Sequence, residues 1–570
     1  MKQNFFVYLF EAKGIQRYIL SCGKMKDLVG ASDLIAKLAS SDGACVDTKD
    51  LVQICLDSIE ATASDYRIAR RAGGCFVIIW EQKELLVRFR RQFRLLVMLS
   101  LPGLEFSDAM TCAEDEEAAI AGVYEAAAGF RENGPASLMA IGKPIHEIVR
   151  RTGRPALLRD GSDIANEEID QINEPIRVWA NALQTRMNDA NGTIPNLPPM
   201  DGVARRFHYG HNPPSQHERI NSFSYPRQLQ EEADRSQSKF DLFPWIDGEK
   251  DRRLAIVHAD ISGLGEAYSG AVVKAAEARL KAAEARLKLA NEIESAIVSA
   301  VVSANEEILR SNARQETTGT NTIYVVPARP IVVGGDDITV IVRADLALPF
   351  AACLLKEIKN KTKGIAGGLS ACAGIAISDR SSPFLSLNEL AESLCSFAKK
   401  EAKKGTKKGP YPSMLAFHVQ SKDAPENYAS DIYPSLIVGE NECLTGNPYC
   451  IDADGKKPSG WDKLMNLATA ISNLEGAQNT LRQVQTAIAS GNALEAEALL
   501  RRMKTRKGDG RAEKVKAIKD TLCIDDLKRS EIFKSVGPSI FDALKLLQLG
   551  TKIPDASIQG GSKIQIGGAL

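Results

Sequence analysis

The chain begins with an apolar run at residues 5–10, and a stretch with helical character follows near residues 16–38. Two further short runs, at residues 67–69 and 75–80, flank the pair Gly73-Gly74. Short apolar runs on either side of a Gly-Gly pair are typical of a β-hairpin. The first part of the chain is therefore predicted to fold as strand, helix and hairpin.

The same order of elements recurs farther along the chain. An apolar strand at residues 254–259 ends in Asp-Ile-Ser-Gly at 260–263, and a stretch rich in Ala, Glu, Lys, Arg and Leu follows it. These residue types are strong helix formers. Two β-branched runs, at residues 331–333 and 338–342, then flank Gly-Gly-Asp-Asp at 334–337. This second part is predicted to fold as the first does.

The two parts can be overlaid, acid on acid and hairpin on hairpin. Glu11 then falls on Asp260, and the first hairpin glycine follows after 62 residues in one part and 74 in the other. Where the second part has Asp-Asp at 336–337, the first has Cys-Phe at 75–76. We therefore predict two related α/β units, of which only the second can assemble an acidic metal site.

The chain length of 570 residues corresponds to about four domains. We expect an α/β (α+β) protein with a helical connector that contains a Pro-rich loop, and with a helical C-terminal domain. The predicted domains are 1–135 (first unit), 136–245 (connector), 246–425 (second unit) and 426–570 (C-terminal domain).

Charge and cysteine content narrow the possible functions. Lys and Arg number 72, as do Asp and Glu, so the formal net charge is zero and a protein that coats nucleic acid by overall charge is excluded. No apolar run approaches the roughly 18 residues that a membrane helix needs. The 11 cysteines include no Cys-x-x-Cys pair. We therefore expect reduced thiols, a cytoplasmic location, no membrane contact and no zinc ribbon.

The acidic residues of the second unit suggest a catalytic metal site. Asp260, Asp336 and Asp337 are expected to converge, and hard divalent cations prefer carboxylate oxygens. Two such ions, Mg²⁺ or Mn²⁺, can hold the attacking and leaving oxygens of a nucleotidyl transfer. Gly334 and Gly335 would let the backbone approach a nucleotide closely. The alternative is a plain polar turn, since Gly and Asp are common in turns.

The Gly-Gly-Asp-Asp hairpin and the segment Ala-Asp-Ile-Ser-Gly-Leu-Gly at 259–265 resemble the palm of GGDEF-type nucleotide cyclases. The closer resemblance is to the Cas-ten family, the large polymerase-like subunit of type III CRISPR effector complexes. Lys-Gly-Ile-Gln-Arg-Tyr-Ile at 13–19 and Leu-Val-Gly-Ala-Ser at 28–32 are similar to that family's first palm. A degenerate first palm followed by a GGDD second palm is also the family's arrangement.

The resemblance implies two ferredoxin-like palm domains packed face to face. It implies that ATP binds between or beside them and is joined 3′–5′ into cyclic oligoadenylates, a second messenger of antiviral defence, when target RNA is present. Asp260, Asp336 and Asp337 would be catalytic residues and metal ligands in a two-metal site. The carbonyl of Ile261 is a possible further ligand.

The nucleotide-binding residues implied by the resemblance are Gly334, Gly335, Ser262, Gly263 and Lys399. Lys399 matches a palm-helix lysine that touches the triphosphate. Because it belongs to a run of lysines that extends to residue 404, a solvated basic face is the alternative.

The sequence departs from the family in two places. It contains no His-Asp dipeptide, so we predict no HD nuclease, and the segment at 146–155 lacks the cysteines of the family's zinc site. The chain is also shorter than full-length members, which suggests a relative that works alone. The functional alternatives are a stand-alone dinucleotide cyclase and a non-catalytic RNA-binding scaffold of a CRISPR effector complex, and the intact acids favour an enzyme.

Three further features have two interpretations each. The basic stretch at 501–511 is either a solvated helix end or a docking site for guide or target RNA and other type III CRISPR subunits. The cluster of His208, His211 and His217 is a surface loop or a metal site. Gln16, after the first strand-to-helix turn, either caps and packs or binds phosphate at a helix N-terminus.

Overall fold

A computed structural model gives the architecture of the chain. It describes residues 4–21, 23–39, 50–72, 74–101, 103–133, 223–229, 242–246, 252–265, 267, 282–318, 321–334, 337–366, 368–404, 411–420, 427–440, 442–452, 459–474, 476–506, 510–534 and 539–551. The predicted connector helix near 167–188 and the C-terminal tail lie outside these residues.

The described strands, in chain order, are β1 (Phe5–Lys13), β2 (Tyr66–Ala72), β3 (Cys75–Trp80), β4 (Glu105–Ala113), β5 (Phe223–Ser224), β6 (Arg253–Ser262), β7 (Arg314–Thr318), β8 (Asn321–Val325), β9 (Ala328–Gly334), β10 (Asp337–Arg343), β11 (Ser370–Asp379), β12 (Met414–Val419), β13 (Ile437–Gly439), β14 (Glu442–Cys443) and β15 (Tyr449–Cys450).

The described α-helices are α1 (Ile15–Leu20), α2 (Met25–Ala36), α3 (Leu51–Ser58), α4 (Lys83–Ser100), α5 (Glu116–Asn133), α6 (Ala282–Ala304), α7 (Ala344–Lys361), α8 (Lys363–Ala366), α9 (Phe384–Ala402), α10 (Tyr433–Leu436), α11 (Gly460–Ser472), α12 (Ala477–Ala489), α13 (Ala493–Thr505), α14 (Arg511–Leu522), α15 (Arg529–Lys534) and α16 (Ile540–Gln548). Short π-helical turns lie at Asn305–Leu309 and Tyr428–Ile432, and a 3₁₀ turn at Arg310–Asn312.

Two four-stranded antiparallel arrangements repeat the same topology, which confirms the two ferredoxin-like units. The first sheet has the order β2-β3-β1-β4, and the second contains β9-β10-β6-β11, extended at its β11 edge by β12 and β15. We call β1–β4 with α1–α5 the first palm, and the sheet from β6 to β12 with α6–α9 the second palm.

The strand register corrects the sequence overlay by one residue. Glu11 lies opposite Cys75 in the first palm, whereas Asp260 lies opposite Asp337 in the second. If Glu11 corresponds to Asp260, then Cys75 corresponds to Asp337. The sequence overlay had instead matched Phe76 to Asp337. The difference arises because the register is set by strand pairing, which the sequence spacing at a glycine turn does not reveal.

Two helical stretches of the chain are each divided into two helices. The stretch near 16–38 forms α1 and α2, because the backbone of Lys24 is extended (φ −105°, ψ 136°) and cannot continue a helix. The stretch from 461 to 490 forms α11 and α12, because Gly476 adopts a left-handed backbone (φ 72°) between them. In both cases a local backbone conformation ends the first helix and begins the second.

The two palms share one hydrophobic core. Tyr8 and Phe10 of β1 point into it together with Ile256 of β6 and Leu390 of α9, whereas the alternate residues of β1 face α5 on the other side of the first sheet. Each such side chain, when fully buried, contributes about 1.5–3 kcal/mol relative to exposure. The hydroxyl of Ser32 also donates a hydrogen bond to the Ile331 carbonyl oxygen across the interface. The shared core therefore fixes the first palm against one face of the second.

The C-terminal helices cover the opposite face of the second sheet, where they join α6 and α7 in another large core. Asp542 of α16 is fully buried and accepts hydrogen bonds from Thr445, Gly446, Tyr449 and Lys545. This carboxylate ties α16 to the segment that carries β15. None of the helices in the described part of the chain is both long and apolar enough to cross a membrane.

Candidate active site

Two of the three predicted acids meet on neighbouring strands. Asp260 of β6 pairs in register with Asp337, the first residue of β10. The antiparallel register places both side chains on the same sheet face, which is the face that packs against α9 and the first palm. Strand β6 continues through Asp260 to Ser262, so the acid lies two residues before the end of the strand.

Lys399 of α9 forms an ion pair with Asp260. Its ammonium nitrogen lies 2.6 Å from Oδ2 of Asp260, and both side chains are 27% exposed. Burial acts to lower the pKa of Lys399, but the hydrogen bond to Asp260 and its charge outweigh burial, so the pKa is raised. Lys399 is thus a fixed cation at the acid pair, whereas Lys400, Lys403 and Lys404 of the same run are exposed.

The other oxygen of the Asp260 carboxylate has no such partner. Oδ1 is buried and accepts no hydrogen bond from any residue that the structure describes. A buried, unpaired carboxylate oxygen is costly, and a hard divalent cation is the ligand that would satisfy it. Asp336 lies outside the described residues, and within them no group of three or more His, Cys, Asp or Glu could hold a metal. The two facing carboxylates, with one free oxygen, fit Mg²⁺ or Mn²⁺.

Gln16 of the first palm reaches the acid pair. The Gln16 amide nitrogen lies 3.3 Å from Oδ2 of Asp337, and the Gln16 carbonyl oxygen accepts a hydrogen bond of 3.1 Å from Asn388 of α9. Asn388 also donates to Glu392 at 2.6 Å, and burial raises the pKa of Glu392. A continuous chain of hydrogen bonds therefore runs from Asp337 through the first palm to α9.

Sequence reasoning assigned no role to Asn388 or Glu392. They are spaced at one helical face with Cys395 and Lys399, because positions separated by three or four residues lie on the same side of a helix. Cys395 donates its thiol hydrogen to the Cys372 carbonyl oxygen at 3.1 Å, which holds this face against β11. The helical spacing upstream of Lys399 was the signal that could have identified them.

The first palm has a neutralised counterpart of the acid pair. Glu11 forms an ion pair with Lys13 of its own strand, and its register partner is a cysteine instead of a carboxylate. Gly14 and Gly263, which follow the two acids by three residues, both have positive φ angles, of 54° and 89°. This shared turn supports the equivalence of the two strand ends.

The remaining predicted residues are placed as follows. Gly334 is the last residue of β9 and pairs with Asp337, while Gly335 lies outside the described residues. Ser262 is buried at the end of β6 opposite Ser370. The side chain of Ile261 points into the core on the opposite sheet face.

The basic stretch at 501–511 divides into structural and exposed residues. Arg511 is buried and donates two hydrogen bonds to the Met503 carbonyl oxygen, and Lys504 pairs with Asp526 at 2.9 Å. Arg501, Arg502 and Arg506 are exposed. The histidine cluster, His208, His211 and His217, lies outside the described residues.

Comparison with known proteins gives one family match and several distant structural likenesses. Residues 253–408 match the family model of the Cas10/Cmr2 second palm domain. No curated protein sequence matches the chain. Among solved structures, a Csm1-Csm4 cassette in complex with cA4 is 12% identical, with a TM-score of 0.46, over 97% of this chain and 70% of that one.

Two further structures show the same degree of likeness. Csm1 in T. onnurineus is 13% identical with a TM-score of 0.43, and a Csm1-Csm4 cassette in complex with AMPPNP is 13% identical with a TM-score of 0.44. Both matches cover 97% of this chain and 70% of the other. These likenesses are too distant to bear on individual residues, whereas the family match spans β6 to α9 and includes both observed acids and the lysine.

Proposed function

We propose that this Cas10-like chain, whose residues 253–408 match the family model of the Cas10/Cmr2 second palm domain, converts ATP into cyclic oligoadenylates. In the proposed reaction the 3′-hydroxyl of one ATP attacks the α-phosphorus of another. A 3′–5′ bond forms, pyrophosphate leaves, and the hydroxyl proton is released. The observation that supports this proposal is the pair Asp260 and Asp337 on adjacent strands, with one buried carboxylate oxygen left free.

We assign metal binding to Asp260, Asp336 and Asp337, with the Ile261 carbonyl oxygen as a further donor. When bound there, Mg²⁺ or Mn²⁺ would lower the pKa of the attacking hydroxyl and offset charge on pyrophosphate. Gly334 and Gly335 lack side chains at the hairpin, so the backbone can approach the nucleotide. Ser262 and Gly263 border the nucleotide at the end of β6.

Lys399 has a double role in this proposal. Without a ligand it neutralises Asp260, and with ATP bound it would turn to the triphosphate, whose charge is larger. The long lysine side chain permits this because only the ammonium group has to move. Such an exchange would keep the acid pair neutralised until substrate arrives.

The proposed docking site for RNA and protein partners is a group of exposed arginines. Arg501, Arg502 and Arg506 present exposed positive charge on the C-terminal helices, and RNA or another subunit of a type III CRISPR complex could dock there. We propose a cytoplasmic protein activated by target RNA in antiviral defence.

Incubation of the chain with ATP, GTP, CTP or UTP and Mg²⁺ or Mn²⁺ tests the function, with products read by mass spectrometry. Wild type should form cyclic adenylates, and Asp336→Ala should form none while keeping its melting temperature. RNA dependence would separate an effector subunit from a stand-alone cyclase, and cyclic dinucleotides from GTP would indicate the dinucleotide cyclase. Absence of any product under all conditions would contradict the proposal and favour the scaffold alternative.

Lys399→Met should bind Mn²⁺ more tightly than the wild type and consume ATP more slowly. The variant removes the cation that competes for Asp260, and a partly exposed ion pair contributes about 1 kcal/mol. We therefore expect Mn²⁺ affinity to rise roughly fivefold by calorimetry. Lys400→Met, a change at the adjacent exposed lysine, should leave Mn²⁺ affinity unaltered. Unchanged or weaker Mn²⁺ binding in Lys399→Met would show that the ion pair does not compete with the metal.

Gln16→Ala should lower the rate of ATP turnover about 3- to 10-fold, because a hydrogen bond as long as this one, at 3.3 Å, contributes about 1 kcal/mol. The substitution removes the contact that positions Asp337 from the first palm. The expected loss is in kcat, with the KM for ATP little changed. Arg17→Ala, at the exposed neighbouring position, is the matched control. Equal kinetics in the two variants would show that Gln16 does not position the acid.

A further inference from the structure

A cavity of about 630 Å³ lies at the end of the second sheet away from the acid pair. Arg252 precedes β6, and Arg380 follows β11 and donates its backbone N–H to the Arg252 carbonyl oxygen. From Arg253 to Asp260 the strand advances seven residues, or about 23 Å at 3.3 Å per residue. The cavity is therefore separate from the proposed catalytic site.

The charged residues that the structure describes in the lining of the cavity are all arginines. Arg252, Arg314 and Arg380 come from three separate segments of the chain and line the cavity together with Asn312. Among the described residues no carboxylate lines the cavity. Glu316 pairs with Arg314 at 2.9 Å without itself being part of the lining. Guanidinium groups on several sides are suited to phosphate, which they bind through paired hydrogen bonds.

One wall of the cavity is aromatic. The rings of Phe243 and Trp245 lie 4.8 Å apart at an angle of 45°, and the Arg252 guanidinium lies 5.7 Å from the Trp245 ring centroid. The indole N–H donates to the Leu229 carbonyl oxygen at 3.0 Å, so the orientation of the ring is fixed. An indole held in this way offers a flat surface on which a nucleic-acid base can stack.

The aromatic wall is also held rigidly to the sheet. Arg343, at the end of β10, forms two hydrogen bonds with Asp345, of 2.7 and 2.9 Å, and donates a third to the Pro244 carbonyl oxygen at 3.0 Å. All three bonds are buried. The segment that carries Phe243 and Trp245 is thereby positioned before any ligand arrives, which lowers the entropic cost of binding.

We propose that this cavity binds a nucleotide unit, with its phosphate among the arginines and its base against Trp245. The cavity volume is within the range of small-ligand sites. A negatively charged ligand with an aromatic ring matches both the charge and the aromatic wall, whereas an acidic peptide would use only the charge. The unit is either a free nucleotide or one residue of a single-stranded RNA. The proposal does not depend on the reaction proposed for the acid pair.

Binding of two probes to the full chain without divalent cations tests the proposal. The probes are a fluorescein-labelled octauridylate RNA and a fluorescent ATP analogue. Arg252→Ala/Arg380→Ala should weaken binding about tenfold or more, since hydrogen bonds to charged groups contribute about 1.5–3 kcal/mol. For RNA, the slope of log K against log salt should fall by about 0.7, because the contact with one phosphate is lost. Arg88→Ala/Arg91→Ala removes the same charge from exposed positions of α4 and is the matched control.

A second variant keeps the test valid if the arginine double variant is unstable. Trp245→Leu retains all charges and should weaken binding several-fold by removing the stacking surface, since stacking contributes about 1–3 kcal/mol per base. Loss of affinity for both probes would identify a free-nucleotide site, and loss for RNA alone would identify a strand-binding site. The proposal is overturned if both pocket variants bind both probes as the α4 control does, or if wild type binds neither probe.

Discussion

Asp260→Asn should reduce the formation of cyclic adenylates by at least about 10²–10³-fold, the loss typical of removing one preorganised electrostatic stabiliser from an active site. The amide has the same shape as the carboxylate, so β6 and its pairing with β10 should persist. The asparagine side chain lacks the negative charge that binds both a divalent cation and Lys399. The measurement is product formation from ATP at saturating Mn²⁺, together with the melting temperature of each protein.

The same variant should also change Mn²⁺ binding, a readout that does not depend on turnover. Loss of one of two facing carboxylates should weaken Mn²⁺ binding markedly by calorimetry. Because the hydrogen bond and charge of Asp260 hold the pKa of Lys399 above its usual value, that pKa should fall in the variant. Weak metal binding and a lost reaction, seen together, would link the free carboxylate oxygen to catalysis.

The chain supplies its own matched control for this experiment. Glu11 is the counterpart of Asp260 in the first palm, but Lys13 neutralises it and a cysteine stands opposite. Glu11→Gln should therefore leave both product formation and Mn²⁺ binding near wild-type values. If Glu11→Gln lost as much activity as Asp260→Asn, the division into a degenerate and a catalytic palm would be wrong. Full activity in Asp260→Asn would remove the acid pair from the mechanism.

The strand and hairpin order of both palms could be predicted because it rests on short-range signals. Apolar runs, a Gly-Gly turn and an acid at the strand end each occupy a few consecutive residues. Strand β4 at 105–113 was not predicted because only two of its nine residues, Phe106 and Met110, are large and apolar, and its burial comes from pairing with β1. The register of the hairpin was predicted wrongly by one residue for a related reason. Register depends on how two strands pair, which the sequence of one strand does not determine.

The contacts around the acid pair could be foreseen only in part. Lys399 was identified through a resemblance, but its position on Asp260 depends on how closely α9 lies on the sheet. The link from Asp337 through Gln16 to Asn388 joins residues 321 and 372 positions apart in the sequence. Such a link follows from the docking of one palm on the other, which no local pattern determines. The residue types were visible in the sequence, whereas their convergence was not.

The position of Lys399 depends on a glycine beneath α9. Gly374 of β11 lies directly under the helix, and a Cβ atom there would lie 1.9 Å from the Ala391 carbonyl oxygen and 2.4 Å from the Cys395 backbone nitrogen. Both are backbone atoms, so no side-chain rotation can relieve the overlap. The absence of a side chain at this position lets α9 approach closely enough for Lys399 to reach Asp260.

Gly374→Ala should therefore destabilise the protein and separate Lys399 from Asp260. Overpacking of a well-packed core costs about 1–3 kcal/mol, and a clash with helix backbone should lie at the upper end of that range. We expect the melting temperature to fall by about 2–3 °C, because the unfolding entropy of a chain of this length is about 1.2 kcal/mol/K. Because α9 would shift away from the sheet, Mn²⁺ affinity should rise as in Lys399→Met, while ATP turnover should fall.

Gly129→Ala is the control, since a Cβ atom at this exposed position of α5 meets nothing within 4 Å. Replacing a glycine inside a helix by alanine stabilises by about 0.5–1 kcal/mol, so the two substitutions should shift the melting temperature in opposite directions. Faster hydrogen exchange along α9 in Gly374→Ala alone would locate the disturbance. A melting temperature and hydrogen exchange equal to those of the wild type in Gly374→Ala would contradict this prediction. The close approach of α9 to the sheet, and with it the position of Lys399, would then not depend on Gly374.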